Sequence, residues 1–170
     1  MTWYILDSDH VTLHQRRDPA VVRRLAGVPS NQVFVPIVTV EEQMRGWLAV
    51  IRRAPAPERL IAAYASLHRA VAYFAQVHIL EYSEDAARHF AALRAQQIRI
   101  GTHDLRIAAM TLAISGILVT RNRRDFQQVP GLLLEDLELD ECVFFISAGG
   151  DDSHGLGRHS SFKPCISTLV

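Results

Sequence analysis

Four short segments of this chain each end a hydrophobic stretch with an acidic residue. They are Tyr4-Ile5-Leu6-Asp7, Val38-Thr39-Val40-Glu41-Glu42, Gly101-Thr102-His103-Asp104 and Val119-Thr120-Arg121-Asn122-Arg123-Arg124-Asp125. A carboxylate at the end of a buried strand or the start of a helix lies at the edge of a core, where loss of water is costly. Acids without a particular task normally sit on solvated outer faces. Four at core edges therefore suggest a shared one, and holding a hard divalent cation through oxygen ligands is the obvious candidate.

The same stretches set the expected architecture. Short apolar runs at 3–6, 33–38, 78–81, 117–120 and 132–135 read as buried strands, with Ser30 and Asn31 as turn residues before the second. Between them the apolar period lengthens to that of a helix. Asp18 and Pro19 supply a cap and a first-turn proline for a helix to Leu25, and Ser83 opens another to about 97. Further helices are expected at 39–51, 57–77 and from Thr102 or Asp104 to Ile114, closed by Gly116. Strands alternating with helices imply parallel strands joined by right-handed crossovers. We therefore expect an α/β fold with a central parallel sheet of 4–5 strands flanked by helices in three layers.

In such sheets ligands bind beyond the carboxyl ends of the strands. Asp7 directly follows the first strand. Glu42, with Glu41 beside it, is placed in the first helical turn after the second. Asp104 begins the helix leading to the fourth strand, and Asp125 follows that strand closely. Each has an ordinary reading when taken alone: Asp104 as a helix cap, Asp125 as a turn residue, Glu42 as a solvated helix position. Their joint placement after successive strands favours a site. Carboxylates packed together without a counter-ion cost roughly several kcal/mol, so a cation is expected among them. Magnesium or manganese takes carboxylates and waters and leaves positions for phosphate oxygens. One ion or two would activate a water and neutralise charge developing on a phosphodiester.

Composition narrows the alternatives. A chain of 170 residues suits one domain, and 49% apolar residues exclude a wholly disordered one. No apolar run reaches the roughly 18 residues needed to cross a bilayer. No basic region precedes the short apolar run at the N-terminus, so no secretion signal is read there. Cys142 and Cys165 lack a CxxC neighbour and suggest neither a disulfide framework nor a zinc site. A cytoplasmic protein without membrane attachment is expected. Lys163 is the only lysine, which rules out lysine chemistry within residues 1–137. Those residues carry 16 arginines against 13 acids, whereas 138–170 carry five acids against Arg158 and Lys163. The apolar pattern stops near Leu137. We expect 138–170 to be an acidic, Gly-rich, flexible extension, with an apolar island at 142–146 that either adds an edge strand or does not.

At this point the motifs resemble a known family. Tyr4-Ile5-Leu6-Asp7-Ser8-Asp9, Thr39-Val40-Glu41-Glu42-Gln43-Met44-Arg45-Gly46, His103-Asp104-Leu105-Arg106-Ile107-Ala108-Ala109 and Leu118-Val119-Thr120-Arg121-Asn122-Arg123-Arg124-Asp125-Phe126 are similar to those of PIN-domain ribonucleases. The closing Val129-Pro130-Gly131-Leu132-Leu133-Leu134-Glu135-Asp136 is like the end of VapC-type toxins of toxin–antitoxin pairs. The resemblance spans residues 3–137 and implies a PIN-like nuclease domain over 1–137. It assigns metal-binding, catalytic acids to Asp7, Glu42, Asp104 and Asp125. Glu42 is preferred over Glu41 because the family's glutamate stands four residues before a glycine, as Glu42 does before Gly46. Thr120 and Asn122 take positions that help hold the metal–water or phosphate network, and Ser8 stands where the family commonly has threonine. The resemblance further implies Mg²⁺ or Mn²⁺, endonucleolytic hydrolysis of RNA, a homodimer, and inhibition by a small cognate antitoxin protein.

Other residues are placed more simply. Arg121, Arg123 and Arg124 flank the expected site; each reads either as a solvated surface arginine or as a group that steers or clamps phosphates, with Arg121 the candidate for the latter. His10 and His103 read as surface or supporting residues rather than ligands. Trp47 and Phe74 read as core or dimer contacts. The stripe Leu60, Ala63, Tyr64, Leu67, Val71 and Phe74 is expected to be mostly core, with a groove for a partner helix as the other reading. Two other functions compete. Asp7-Ser8-Asp9 looks like the first motif of haloacid-dehalogenase-type phosphatases, with Asp7 as nucleophile and Asp9 as acid, but that chemistry wants a core lysine. A catalytically silent domain binding RNA or protein is the other, and four retained acids argue against it.

Overall fold

In a computed structural model, residues 2–137 and the short strand at 144–145 are described. The rest of the extension expected at 138–170 lies outside the described residues. Strands β1 (Tyr4–Leu6), β2 (Val33–Pro36), β3 (His78–Leu80), β4 (Ile117–Val119), β5 (Leu133–Glu135) and β6 (Phe144–Phe145) form one sheet in the order β3-β2-β1-β4-β5-β6. The first five run parallel, and β6 pairs antiparallel with β5. The apolar island therefore does add an edge strand. The helices are α1 (Ser8–Gln15), α2 (Pro19–Ala26), α3 (Ile37–Arg53), α4 (Pro57–Phe74), α5 (Glu84–Ala95), α6 (Thr102–Ala113) and the single turn α7 (Arg123–Phe126).

The two faces of the sheet follow from the alternation of side chains along each strand. Ile5 and Leu118 point into one core with Leu93 of α5, Leu105 to Met110 of α6, and Phe126. Their neighbours Leu6 and Val119 point into the other, with Val11, Val21, Ala70 and Phe74 from α1, α2 and α4. Both faces of the central strands are thus covered, as an all-parallel sheet demands. Each fully buried Leu or Ile contributes about 1.5–3 kcal/mol relative to exposure, so the two cores fix the middle layer firmly.

Several local features depart from the sequence expectation. β2 stops at Pro36, because proline has no N–H for the next rung, and Pro36 becomes the residue before α3. The helix consequently starts at Ile37, and Glu42 falls in its second turn, not its first. α6 starts at Thr102 after Gly101, so Asp104 lies inside the first turn and does not cap it. α1 is not signalled by any apolar period, since only His10 and Val11 of its eight residues are buried. It forms because Asp7 accepts the Ser8 N–H and Asp9 places negative charge in the first turn. The caps expected at Asp18 and Ser83 are present, on Ala20 and Val21 and on Ala86 respectively. The stripe on α4 is not mostly core. Ala63 and Phe74 are buried, whereas Leu60, Tyr64 and Val71 are exposed, with Tyr64 at 55%. α4 packs against α3, and Ala63, Ala70 and Phe74 are the residues it buries. No described helix is long and apolar enough to cross a membrane.

Candidate active site

The strand order reverses direction between β1 and β4: β2 and β3 lie on one side, β5 and β6 on the other. Connections leaving the two strands diverge there and open a crevice at their carboxyl ends. Asp7 and Thr120 are the first residues beyond β1 and β4. The Asp7 N–H donates to the Val119 carbonyl at 3.0 Å, so the ladder between the strands runs right up to the site.

Asp7 is buried at 7% exposure. Its Oδ1 accepts the Ser8 N–H at 2.7 Å and its Oδ2 accepts the Thr120 hydroxyl at 2.9 Å. Thr120, fully buried, in turn accepts the Asn122 N–H at 3.0 Å. The Asn122 amide then donates to Asp125 Oδ2 at 3.0 Å. The loop from β4 into α7 is thereby stitched to the end of β1 by one continuous set of hydrogen bonds. On the other side, Ser8 Oγ donates to Glu42 Oε2 at 2.5 Å, linking α1 to exposed Glu42 on α3. Asp104 is half-buried in the first turn of α6, and Gly101 gives it room: a Cβ there would come within 3.3 Å of Asp104 Oδ2.

Electrostatics tie the acids together. Burial, then the charges of Asp9 and Asp104, push the Asp7 carboxyl up to about 7 against the opposing bonds from Ser8 and Thr120. Asp104 is also raised, first by burial and then by Asp125 and Glu42, with His103 opposing. All four expected acids thus feel one another, directly or through Asp104. Among the described residues, however, no three carboxylate, imidazole or thiolate groups stand close enough to enclose an ion as they are. The donor set nonetheless fits a hard cation: oxygen ligands at a half-buried crevice, mutually repelling, with two of them raised by that repulsion and by burial.

The remaining residues separate into those that face this cluster and those that do not. His103 is half-buried, with Nδ1 3.5 Å from Glu41 Oε2 and Nε2 3.1 Å from Arg45 Nη2. Glu41 is thus engaged with His103 and with Arg45, 3.6 Å away, whereas Glu42 bonds Ser8 beside Asp7. The Arg121 side chain is exposed beside the crevice, and its backbone N–H donates to Asp9 Oδ2 at 2.8 Å. His10 is not a surface residue; it is fully buried. Asp9, His10 and Asp136 form a group that the sequence reading passed over. A further acid at a strand end, Asp136 after β5, was the available signal. Asp9 is held below its ordinary range: burial would raise it, but the His10 ring and the Arg121 and His10 backbone N–H groups outweigh that. The lysine that a phosphatase with an Asp7-Ser8-Asp9 motif requires is missing from residues 2–137.

No protein-family model matches the chain. The tRNA(fMet)-specific endonuclease VapC of Salmonella typhimurium strain LT2 is 25% identical over 140 residues, covering 80% of this chain and 98% of that protein. Ribonuclease VapC2 of Haemophilus influenzae strain KW20 is 28% identical over the same shares. The DNA-bound VapBC complex of Salmonella typhimurium contains a chain matching 81% of this one and 99% of its own length, at 24% identity and a TM-score of 0.62. The resemblance to VapC ribonucleases read from the motifs is borne out by the first two, and the PIN-like three-layer fold by the third.

Proposed function

We propose that this chain is a metal-dependent endoribonuclease of the VapC type, the toxin of a toxin–antitoxin pair, with Asp7, Glu42, Asp104 and Asp125 as its metal-binding and catalytic acids. The observation that carries the reading is the chain of bonds Asp7–Thr120–Asn122–Asp125 at the point where the strand order reverses. It holds two acids from different strands at one crevice, while Asp104 and Glu42 couple to them electrostatically. Similarity to curated ribonucleases over 80% of the chain supports the RNA substrate.

Each residue then has a task in phosphodiester hydrolysis. The four carboxylates would hold Mg²⁺ or Mn²⁺, which when bound supplies an activated water and neutralises charge on the phosphodiester. Thr120 fixes the rotamer of Asp7, Asn122 that of Asp125, and Ser8 that of Glu42. Arg121, whose side chain is exposed, would meet an RNA phosphate. Exposed Leu48 and Val50 of α3 and Ile61, Tyr64 and Val71 of α4 offer apolar surface for protein partners, namely the cognate antitoxin and a second copy of the chain.

The test is cleavage of a mixed RNA pool with Mn²⁺ or Mg²⁺, and again with a chelator. Wild type should cut only with metal, while folded Asp7→Ala and Asp104→Ala variants should be inert. Full activity in either variant, or cleavage that a chelator leaves untouched, refutes the assignment.

A further inference from the structure

Resting on that reading, we propose that Asp9, locked in place by buried His10, is the positioning residue of the active-site loop that carries Thr120, Asn122 and Asp125. Asp9 Oδ2 accepts the Arg121 N–H at 2.8 Å, across 112 residues of sequence. Its Oδ1 accepts the His10 N–H at 2.6 Å and meets His10 Nδ1 at 2.9 Å. The far side of the His10 ring is also engaged: Nε2 accepts the Leu137 N–H at 3.2 Å and lies 3.3 Å from Asp136 Oδ1. With Nε2 accepting, Nδ1 is the nitrogen that donates to Asp9. The His10 ring is fully buried and Asp136 is 6% exposed, so the contacts on the far side of the ring do not compete with water.

The consequence is geometric. Arg121 stands between Thr120, which holds Asp7, and Asn122, which holds Asp125. Holding its backbone N–H fixes the Thr120–Arg121 peptide plane, and with it the direction in which the chain leaves Thr120 and reaches Asn122. Asp9 itself has both oxygens taken up by N–H donors, so it positions the loop and does not join the cluster of acids. Three donors facing one side chain also require a carboxylate. Asparagine has the same shape but would turn its NH₂ toward one of them.

The experiment compares wild type with Asp9→Asn, and with Asp9→Ala should the first fail to fold. Backbone amide exchange is followed by NMR, and RNA cleavage is resolved into kcat and KM. Exchange at Arg121 and Asn122 should accelerate about 10-fold in the variant, with amides of β1 and β4 unchanged. The kcat should fall about 100-fold at nearly constant KM, the size expected of a misplacement near 1 Å. In the double variant Asp9→Asn/Asn122→Ala, kcat should fall little beyond the larger single effect, because both act through one loop. Unchanged Arg121 exchange, wild-type kcat, or fully additive losses would each overturn the proposal. Should wild type itself fail to cut RNA, the ribonuclease reading falls while the exchange measurement alone still decides the role of Asp9.

Discussion

Thr120 Oγ1 donates to Asp7 Oδ2 at 2.9 Å across the seam between β1 and β4. The bond favours the charged form of a carboxylate that burial and neighbouring acids otherwise push up to about 7. A cation and a proton compete for such a group. Thr120→Val keeps the shape and removes the donor. A hydrogen bond to a charged group contributes roughly 1.5–3 kcal/mol, so Mn²⁺ affinity at neutral pH should fall about 10-fold or more. Calorimetric titration of Mn²⁺ into the two proteins at pH 7 measures this directly. Equal affinities would mean that the hydroxyl does not tune Asp7.

The raised carboxyl also makes stability depend on pH in a stated direction. Asp7 binds its proton more tightly when folded, at about 7, than at its ordinary value of 3.8. Between those values the folded state carries the extra proton, so unfolding free energy falls as pH rises through the window. Asp7→Asn removes the effect. In chelator the variant should match wild type near pH 4 and exceed it at pH 8, by at most about 4 kcal/mol. Saturating Mn²⁺ at pH 8 should recover the difference in wild type and leave the variant unmoved. Urea melts at the two pH values decide it; parallel curves for the two proteins would refute the buried-charge account.

What the sequence revealed and what it hid have physical reasons. Five parallel strands were legible because each is a short apolar run between helical periods, and β1, β4 and β5 are buried on both faces. Asp7 and Asp125 were legible because strand ends mark the crevice. The helical turn of Glu42 was misplaced because Pro36, not the apolar pattern, decides where α3 begins. α1 was hidden because its stability comes from Asp7 as cap and from two buried residues, not from an amphipathic stripe. Of the two readings of His10, surface or supporting, its burial overturns the first, for a related reason. Its burial depends on Asp136 and Leu137, more than 120 positions away, and no local window contains them.

The α4 stripe, one apolar face in sequence, is two surfaces in the fold, and mutation should separate them. Phe74 is 6% exposed and packs with Leu6, Val35 and Val119 in the second core. Phe74→Ala should cost about 3–5 kcal/mol. Ile61, at 70% exposure on the same helix, has almost no core to lose. Ile61→Glu should leave the unfolding free energy within about 0.5 kcal/mol of wild type. Denaturant titrations of the isolated proteins test both values. A large loss in the Ile61 variant would place that face inside an obligate assembly.

Gly116 tests whether the β1–β4 seam tolerates any widening. It precedes β4, and a Cβ built on it would lie well inside van der Waals contact with Ile5 Cδ1 and 3.3 Å from the Trp3 carbonyl. That carbonyl accepts the Ile117 N–H at 2.8 Å, so the backbone of β1 cannot retreat without losing a rung. Ile5 is fully buried, so any shift of its Cδ1 has to be taken up within the core. Gly116→Ala should therefore cost about 1–3 kcal/mol through overpacking. Ile5→Val deletes the Cδ1 methyl, and alone it should cost about 0.5–1.5 kcal/mol. In the Gly116→Ala background the same change should cost less or stabilise, because it removes the clashing atom. A double-mutant cycle by urea denaturation measures that coupling. Strict additivity would show that the added methyl is accommodated at the Trp3 side, with β1 and its Asp7 displaced from β4.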